Sequence, residues 1–185
     1  MIRPLSRLIA PVLLLATSFA LVMLFEAAEA NGWDTIELPR GSRVVDTGGY
    51  KGRTRELTRE ALVAQIGAWL GVAPEWCENE YGMSELSSQC WLGNVAAATG
   101  HPLTDGAPRW MPPWLRVRVV DAVTLSEVAD GEQGLLVFHD LANVWSCAAI
   151  RSEDLAIRRG DGFELVGRAP GAALKGCSLQ LEDVV

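Results

Sequence analysis

The sequence lacks most of the signatures that would settle a function quickly. Its 185 residues contain no CxxC pair and only two histidines, which argues against a structural zinc site built from closely spaced Cys and His ligands. No G-x-x-x-x-G-K-[ST] stretch occurs, so a P-loop is excluded. The nearest approach to a G-x-S-x-G nucleophile elbow, Gly82-Met83-Ser84-Glu85-Leu86, is missing its second glycine. A triad of Ser84 with His139 and Asp140 therefore has little behind it. Basic residues are outnumbered 16 to 23, for a net charge of -7. A chain of that sign offers nucleic acid no general electrostatic grip. No internal repeat is present. What is there is a globular composition, 49% hydrophobic and 21% charged, on a length that suits one domain.

The amino terminus supports two readings. Arg3 and Arg7 precede an apolar run from Leu8 to Phe25, and Ala28-Glu29-Ala30 follows as a small-residue A-x-A match. In form this is a secretory signal peptide or one short membrane helix. Export would pair Cys77, Cys90, Cys147 and Cys177 into two disulfides, with the connectivity left open. In the second reading, Pro11 and Thr17-Ser18 interrupt the run, and Glu26 and Glu29 share one face. Phe19 to Ala30 is then an amphipathic helix of a cytoplasmic fold, ending at Asn31-Gly32. Cys77, Cys90 and Cys147, set among Trp76, Trp91 and Trp145, are then best explained as small buried hydrophobes.

Further along, Ser42 to Asp46 is a short strand followed by a Thr47-Gly48-Gly49 turn. Thr58 caps a helix whose apolar residues Leu62, Val63, Ile66, Trp69 and Leu70 recur with helical spacing, and Gly71 ends it. Glu78 to Trp91 is polar and expected to be a loop between short strands. Ala96 to Pro113, with Pro102, Pro108, Pro112 and Pro113, is expected to be surface loop. Leu115, Val117 and Val119 alternate with arginines, as in a half-buried strand. Gly134 to His139 is an apolar strand after an Asp130-Gly131 turn. Ser146 to Ile150 and Phe163 to Val166 are further strands, with Asp161-Gly162 between them. The order is helix, strand and helix units followed by a β-rich end, an α/β fold.

Three pieces recur in order: Thr47-Gly48-Gly49-Tyr50-Lys51-Gly52, then Tyr81-Gly82-Met83-Ser84-Glu85, then Ser152-Glu153-Asp154-Leu155 with Gly167-Arg168. This order resembles the later half of adenylate-forming enzymes, the superfamily of acyl-CoA synthetases. The longer stretches Asn79 to Gln89 and Gly167 to Leu179 are similar to LuxE-type acyl-protein synthetases, which activate a fatty acid and pass it to a cysteine. The likeness runs from about Thr17 to the carboxyl end. It implies a partial adenylate-forming large domain over residues 16-168, a divergent extension over 1-15, and a hinge with a mobile arm over 169-185.

By that resemblance the cofactors are ATP and Mg²⁺, and the substrate is a fatty acid or other carboxylic acid. Gly48, Gly49 and Tyr81 line the adenine, with Gly82 in the same motif. Ser84, where the family usually has threonine, donates to the adenylate phosphate, and Glu85 holds the metal. Asp154 accepts from both ribose hydroxyls, Arg168 faces ribose and phosphate, and Cys177 carries the acyl group. Lys175 near it favours the reactive thiolate. The resemblance also implies an acyl reductase as partner.

Two departures stand out. The family's phosphate loop lies in an amino-terminal half that this chain does not contain, so a missing half is an implied partner. Ala156 also replaces the usual glycine after Asp-Leu. Taken singly, Glu85 and Asp154 would be solvated surface charges, and Gly48, Gly49 and Gly167 ordinary turn residues. The alternatives are a phenylacetate-type CoA ligase, in which the thiol of CoA replaces Cys177, and a secreted, disulfide-containing binding domain.

Overall fold

The apolar run at the amino terminus is divided between two elements. The structure, a computed structural model, describes residues 9–50, 57–101 and 108–172. In it Leu13–Thr17 is strand β1 and Ser18–Ala30 is helix α1. Thr17 makes the break: its backbone is extended and its side chain accepts from the Ala20 N–H at 3.1 Å, which is how a threonine caps a helix. The helix stops at Asn31 as expected. Among the described residues no helix is long and apolar enough to cross a membrane. The pairing of β1 begins at Leu13, so the boundary expected between residues 15 and 16 falls inside a strand.

Strand β2 (Arg43–Thr47) follows, then helix α2 (Arg59–Leu70). Thr58 caps α2 as its sequence requires, and Gly71 closes it at a φ of 67°, a left-handed conformation that favours glycine. A 3₁₀ turn over Pro74–Trp76 leads into β3 (Cys77–Tyr81), then come β4 (Cys90–Trp91) and a short helix α3 (Asn94–Ala98). Two expectations need correction here. The polar stretch from Glu78 begins as a strand rather than a loop, and the region from Ala96 opens inside a helix. The remaining strands are β5 (Leu115–Val120), β6 (Gln133–Asp140), β7 (Ala149–Arg159) and β8 (Gly162–Arg168). The expected strand at Ser146 to Ile150 starts three residues late and runs on to Arg159.

The first sheet has the order β1-β2-β3-β4, with the first three strands parallel and β4 antiparallel. Order 1-2-3 steps the same way twice, so crossovers of one hand place α1 and α2 on one face. Their core joins Leu21, Val22 and Phe25 of α1 to Leu62, Ile66 and Leu70 of α2 over Val44 and Cys77. Phe25 and Trp69 stack with ring centroids 6.2 Å apart. The second sheet is an antiparallel meander, β5-β6-β7-β8. Its core holds Leu115, Val119, Leu136, Phe138, Ala156 and Phe163, and Tyr81 and Cys90 enter it from the first sheet.

Ile66 is fully buried between the helices and the first sheet. Ile66→Ala should lower stability by about 2–5 kcal/mol through lost transfer energy and the cavity left behind. A urea titration should show the midpoint fall with the slope unchanged.

Candidate functional site

Three parallel strands end at one edge of the first sheet, where Thr17, Thr47 and Glu80 stand in register. Carboxyl ends of parallel strands are where ligands bind in open α/β sheets. Just beneath this edge lies the carboxylate of Asp46, 1% exposed. It accepts from Ser18 Oγ at 2.9 Å and Asn79 Nδ2 at 2.8 Å, and it forms an ion pair with Arg59. A buried carboxylate persists only when paired and hydrogen-bonded in this way. Thr47 donates to Glu80 on the neighbouring strand. The central role of Asp46 did not stand out in the sequence. Asp46 read only as the end of a strand, and its partners lie 28, 13 and 33 residues away in the chain.

Gly48 and Gly49 continue from β2 directly above Asp46. Gly48 has a φ of 70°, and its carbonyl accepts from Ser18 Oγ at 3.0 Å. A Cβ at either glycine would meet nothing within 4 Å, so the space in front of this turn is open. Tyr50 is half-buried after it, while Lys51 and Gly52 lie outside the described residues.

The segment after β3 is held by the second sheet. Asp140, fully buried, accepts from the Ser87 N–H at 2.9 Å and Ser88 Oγ at 2.8 Å. Asn143 Nδ2 donates to the Glu85 carbonyl at 2.8 Å. Trp114 Nε1 donates to Ser88 Oγ at 3.0 Å. The turn between Met83 and Leu86 thus has a fixed backbone, with Ser84 and Glu85 exposed at its tip and Gly82 half-buried at its base. The triad of Ser84 with His139 and Asp140 does not form. Successive residues of β6 point to opposite faces, so Asp140 turns inward to the serines while His139 lies outside, opposite Arg116.

Tyr81, Asp154 and Arg168 come together from three strands. The Tyr81 hydroxyl donates to Asp154 Oδ2 at 2.6 Å. Arg168 donates to Asp154 Oδ1 at 3.3 Å and to Glu153 at 3.1 Å. The Tyr81 ring stacks on Phe138 at 5.9 Å and meets Phe163 edge-on at 5.6 Å. Its environment places it in the core, with its hydroxyl spent on Asp154, where the resemblance expects a side chain lining an adenine. Burial, and then the hydrogen bond to Asp154, raise the phenol's pKa well above its ordinary value, so it donates at any ordinary pH. The guanidinium of Arg109, also buried, lies 5.8 Å from the Tyr81 ring and 5.9 Å from that of Phe163. It donates to Asn79 Oδ1 at 2.7 Å. A run of polar contacts therefore links Asp46, Asn79 and Arg109 to the ring that carries the Tyr81 hydroxyl. Burial pulls the Arg109 pKa down.

Cys77, Cys90 and Cys147 are free thiols. The first two are buried as expected, but Cys147 is exposed, because its loop turns its side chains outward. Cys177 lies outside the described residues, as does Lys175. Burial raises the Cys77 pKa to about 11, partly offset by Arg59, and that of Cys90 to about 12. Both stay protonated and unreactive near neutrality, since the thiolate is the nucleophile. In the native protein at about pH 8, an aromatic disulfide reagent should label Cys147, with Cys77 and Cys90 reacting only on unfolding. Mass mapping of the labelled peptides checks this.

These features define a class. The chain carries the fold of the adenylate-forming enzymes over part of their length. It superposes on a long-chain-fatty-acid–CoA ligase from Archaeoglobus fulgidus with a TM-score of 0.56 at 16% identity, covering 85% of this chain and 34% of that one. O-succinylbenzoate coenzyme A synthetase from Bacillus subtilis, solved with ATP and magnesium, gives 0.55 at 16%, over 89% and 33%. In sequence the chain is similar to the long-chain-fatty-acid–luciferin-component ligase of Aliivibrio fischeri, 37% identical over 84 residues, or 40% of this chain and 22% of that protein. The Vibrio harveyi ligase of the same name is 25% identical over 118 residues, 60% of this chain and 28% of that protein. The chain thus matches about a quarter of the length of these curated relatives. No family model matches it.

Proposed function

We propose that this chain supplies the ribose- and magnesium-facing side of an acyl-adenylating site that activates a fatty acid or another carboxylic acid with ATP. The observation that carries the reading is the cluster of Tyr81, Asp154 and Arg168. Three segments distant in sequence meet there, and Tyr81 leads directly into the turn from Gly82 to Glu85. Tyr81 and Arg168 use two of the lone pairs on Asp154, which leaves others to accept from a pair of ribose hydroxyls. The open space before Gly48-Gly49 suits the edge of an adenine approached by bare backbone.

A magnesium ion typically takes one or two carboxylates, with phosphate oxygens and water completing its octahedron. Among the described residues no group of three potential ligands occurs. The single exposed carboxylate of Glu85, on a turn tied to Asn143, fits that requirement. When bound, the metal would neutralise phosphate charge. Ser84 on the same turn can donate to the α-phosphate. In the reaction a carboxylate oxygen bonds to the α-phosphorus and the bond to pyrophosphate breaks. The Cys177 thiolate would then attack the acyl carbonyl as AMP leaves, giving a thioester for an acyl reductase to consume. We place the chain in the cytoplasm as an internal part of such a ligase. In support, α1 contributes Leu21, Val22 and Phe25 to the core.

Fatty-acid-dependent ATP–pyrophosphate exchange tests the reading. The 185-residue chain alone should show none, since the phosphate loop belongs to a part of the family it does not contain. Mixed with a polypeptide covering the remaining length of its relatives, it should restore exchange. Restoration that survives Glu85→Ala and Asp154→Ala together would remove both residues from the site.

In the complemented enzyme, Asp154→Ala alone should weaken ATP binding by about 1.5–3 kcal/mol, the worth of a charge-assisted hydrogen bond. Titration of ATP affinity measures it. Acyl-CoA as the product, in place of a protein thioester on Cys177, would favour a CoA ligase.

A further inference from the structure

The connection from β6 to β7 is tied down and yet apolar at its surface. Asp140 donates its N–H to the Ala148 carbonyl at 2.7 Å and accepts from the Ala142 N–H at 3.0 Å. Asn143 donates to the Cys147 carbonyl at 3.0 Å, and the Leu141 N–H to the Trp114 carbonyl at 3.1 Å. On this fixed backbone Leu141, Val144 and Trp145 are 72%, 71% and 99% exposed. Single exposed apolar residues are ordinary, but three within five positions on one braced loop mark a contact surface.

The residues beside the loop give that surface a charge. Leu141 lines an open depression of about 510 Å³ together with Pro113, Trp114, Arg116, Arg118 and His139. Glu127, in the same wall, lies 2.6 Å from Arg118, 3.6 Å from Arg158 and 3.8 Å from Arg116. Three guanidinium groups facing one carboxylate leave this patch positive, on a chain whose net charge is -7.

We infer that this face docks on an anionic lipid surface, with Leu141, Val144 and Trp145 seated at the interface and Arg116 and Arg118 meeting lipid phosphates. The apolar side chains stand out from the loop, a shape that suits a fluid interface receiving a protruding tip. Tryptophan favours the boundary between headgroups and hydrocarbon, and apolar burial combined with basic residues is what holds a protein on such a surface.

The test is co-sedimentation of the full chain with vesicles of phosphatidylcholine alone or mixed with phosphatidylglycerol, read also by tryptophan fluorescence. The chain should pellet with the mixed vesicles and shift its emission to the blue, and high salt should weaken binding by screening. Trp145→Ser should reduce partitioning about tenfold, as should Arg116→Gln with Arg118→Gln. Val123→Ser, an exposed apolar control outside the patch, should change nothing. Failure to bind either vesicle would overturn the inference, as would equal loss in Val123→Ser. A dimer in solution that Trp145→Ser converts to monomer would assign the patch to a second copy of the chain, which also overturns it.

Discussion

One hydrogen bond, from the Tyr81 hydroxyl to Asp154, joins the two halves of this molecule across 73 residues of chain. It depends on Tyr81 standing where the first sheet ends and the second core begins. The ring is buried among the phenylalanines of the meander, and the hydroxyl reaches the carboxylate of Asp154. If the phenol were lost, a nearly buried carboxylate would keep Arg168 alone as its strong partner. If the carboxylate were lost, the buried hydroxyl would lose its charged acceptor. Either loss leaves a buried polar group to be satisfied by water that the packing admits poorly.

The same logic extends beneath the sheet edge. Asp46 takes the hydrogen bonds of Ser18 and Asn79 and the ion pair with Arg59, and Asn79 passes the connection to Arg109 under the Tyr81 ring. Such a set of groups is worth less as net stabilisation than as a constraint, because any other arrangement of the three strand ends strands a charge. It fixes the ends of β2 and β3, and with them the starts of the Gly48-Gly49 and Gly82–Glu85 segments. Parallel strand pairing sets their lateral spacing, and the polar set keeps them from sliding.

Much of this was legible in the sequence, for reasons that differ by element. Helix α2 announced itself because its cap, its apolar spacing and its closing glycine agree. The alternation in β5 and the apolar run in β6 likewise agree with strands solvated on one face. The order of the three motifs puts Tyr81, Asp154 and Arg168 in one reading, and the strands bring these three side chains together. Strand β3 was hidden because its middle residues are polar, and each takes a partner far away in the chain. Glu78 accepts from the N–H groups of Gly93 and Val95, Asn79 binds Asp46, and Glu80 binds Thr47. Strand β1 was hidden because its leucines run without a change of composition into α1, and only the cap formed by Thr17 separates them. The exposure of Cys147 has no local sequence pattern behind it.

The bracing of the 82–89 segment moves the seam of the molecule away from where the chain's connectivity would put it. By sequence these residues continue β3 and belong with the parallel sheet. By hydrogen bonding they belong to Asp140 and Asn143 of the meander. Units that open together are defined by shared contacts rather than by adjacency along the backbone. The slowest amide exchange of the Ser87 N–H should therefore track that of β6 and not that of β2. A slight parting of the sheets would carry Ser84 and Glu85 with the meander while Gly48 and Gly49 stay with the first sheet.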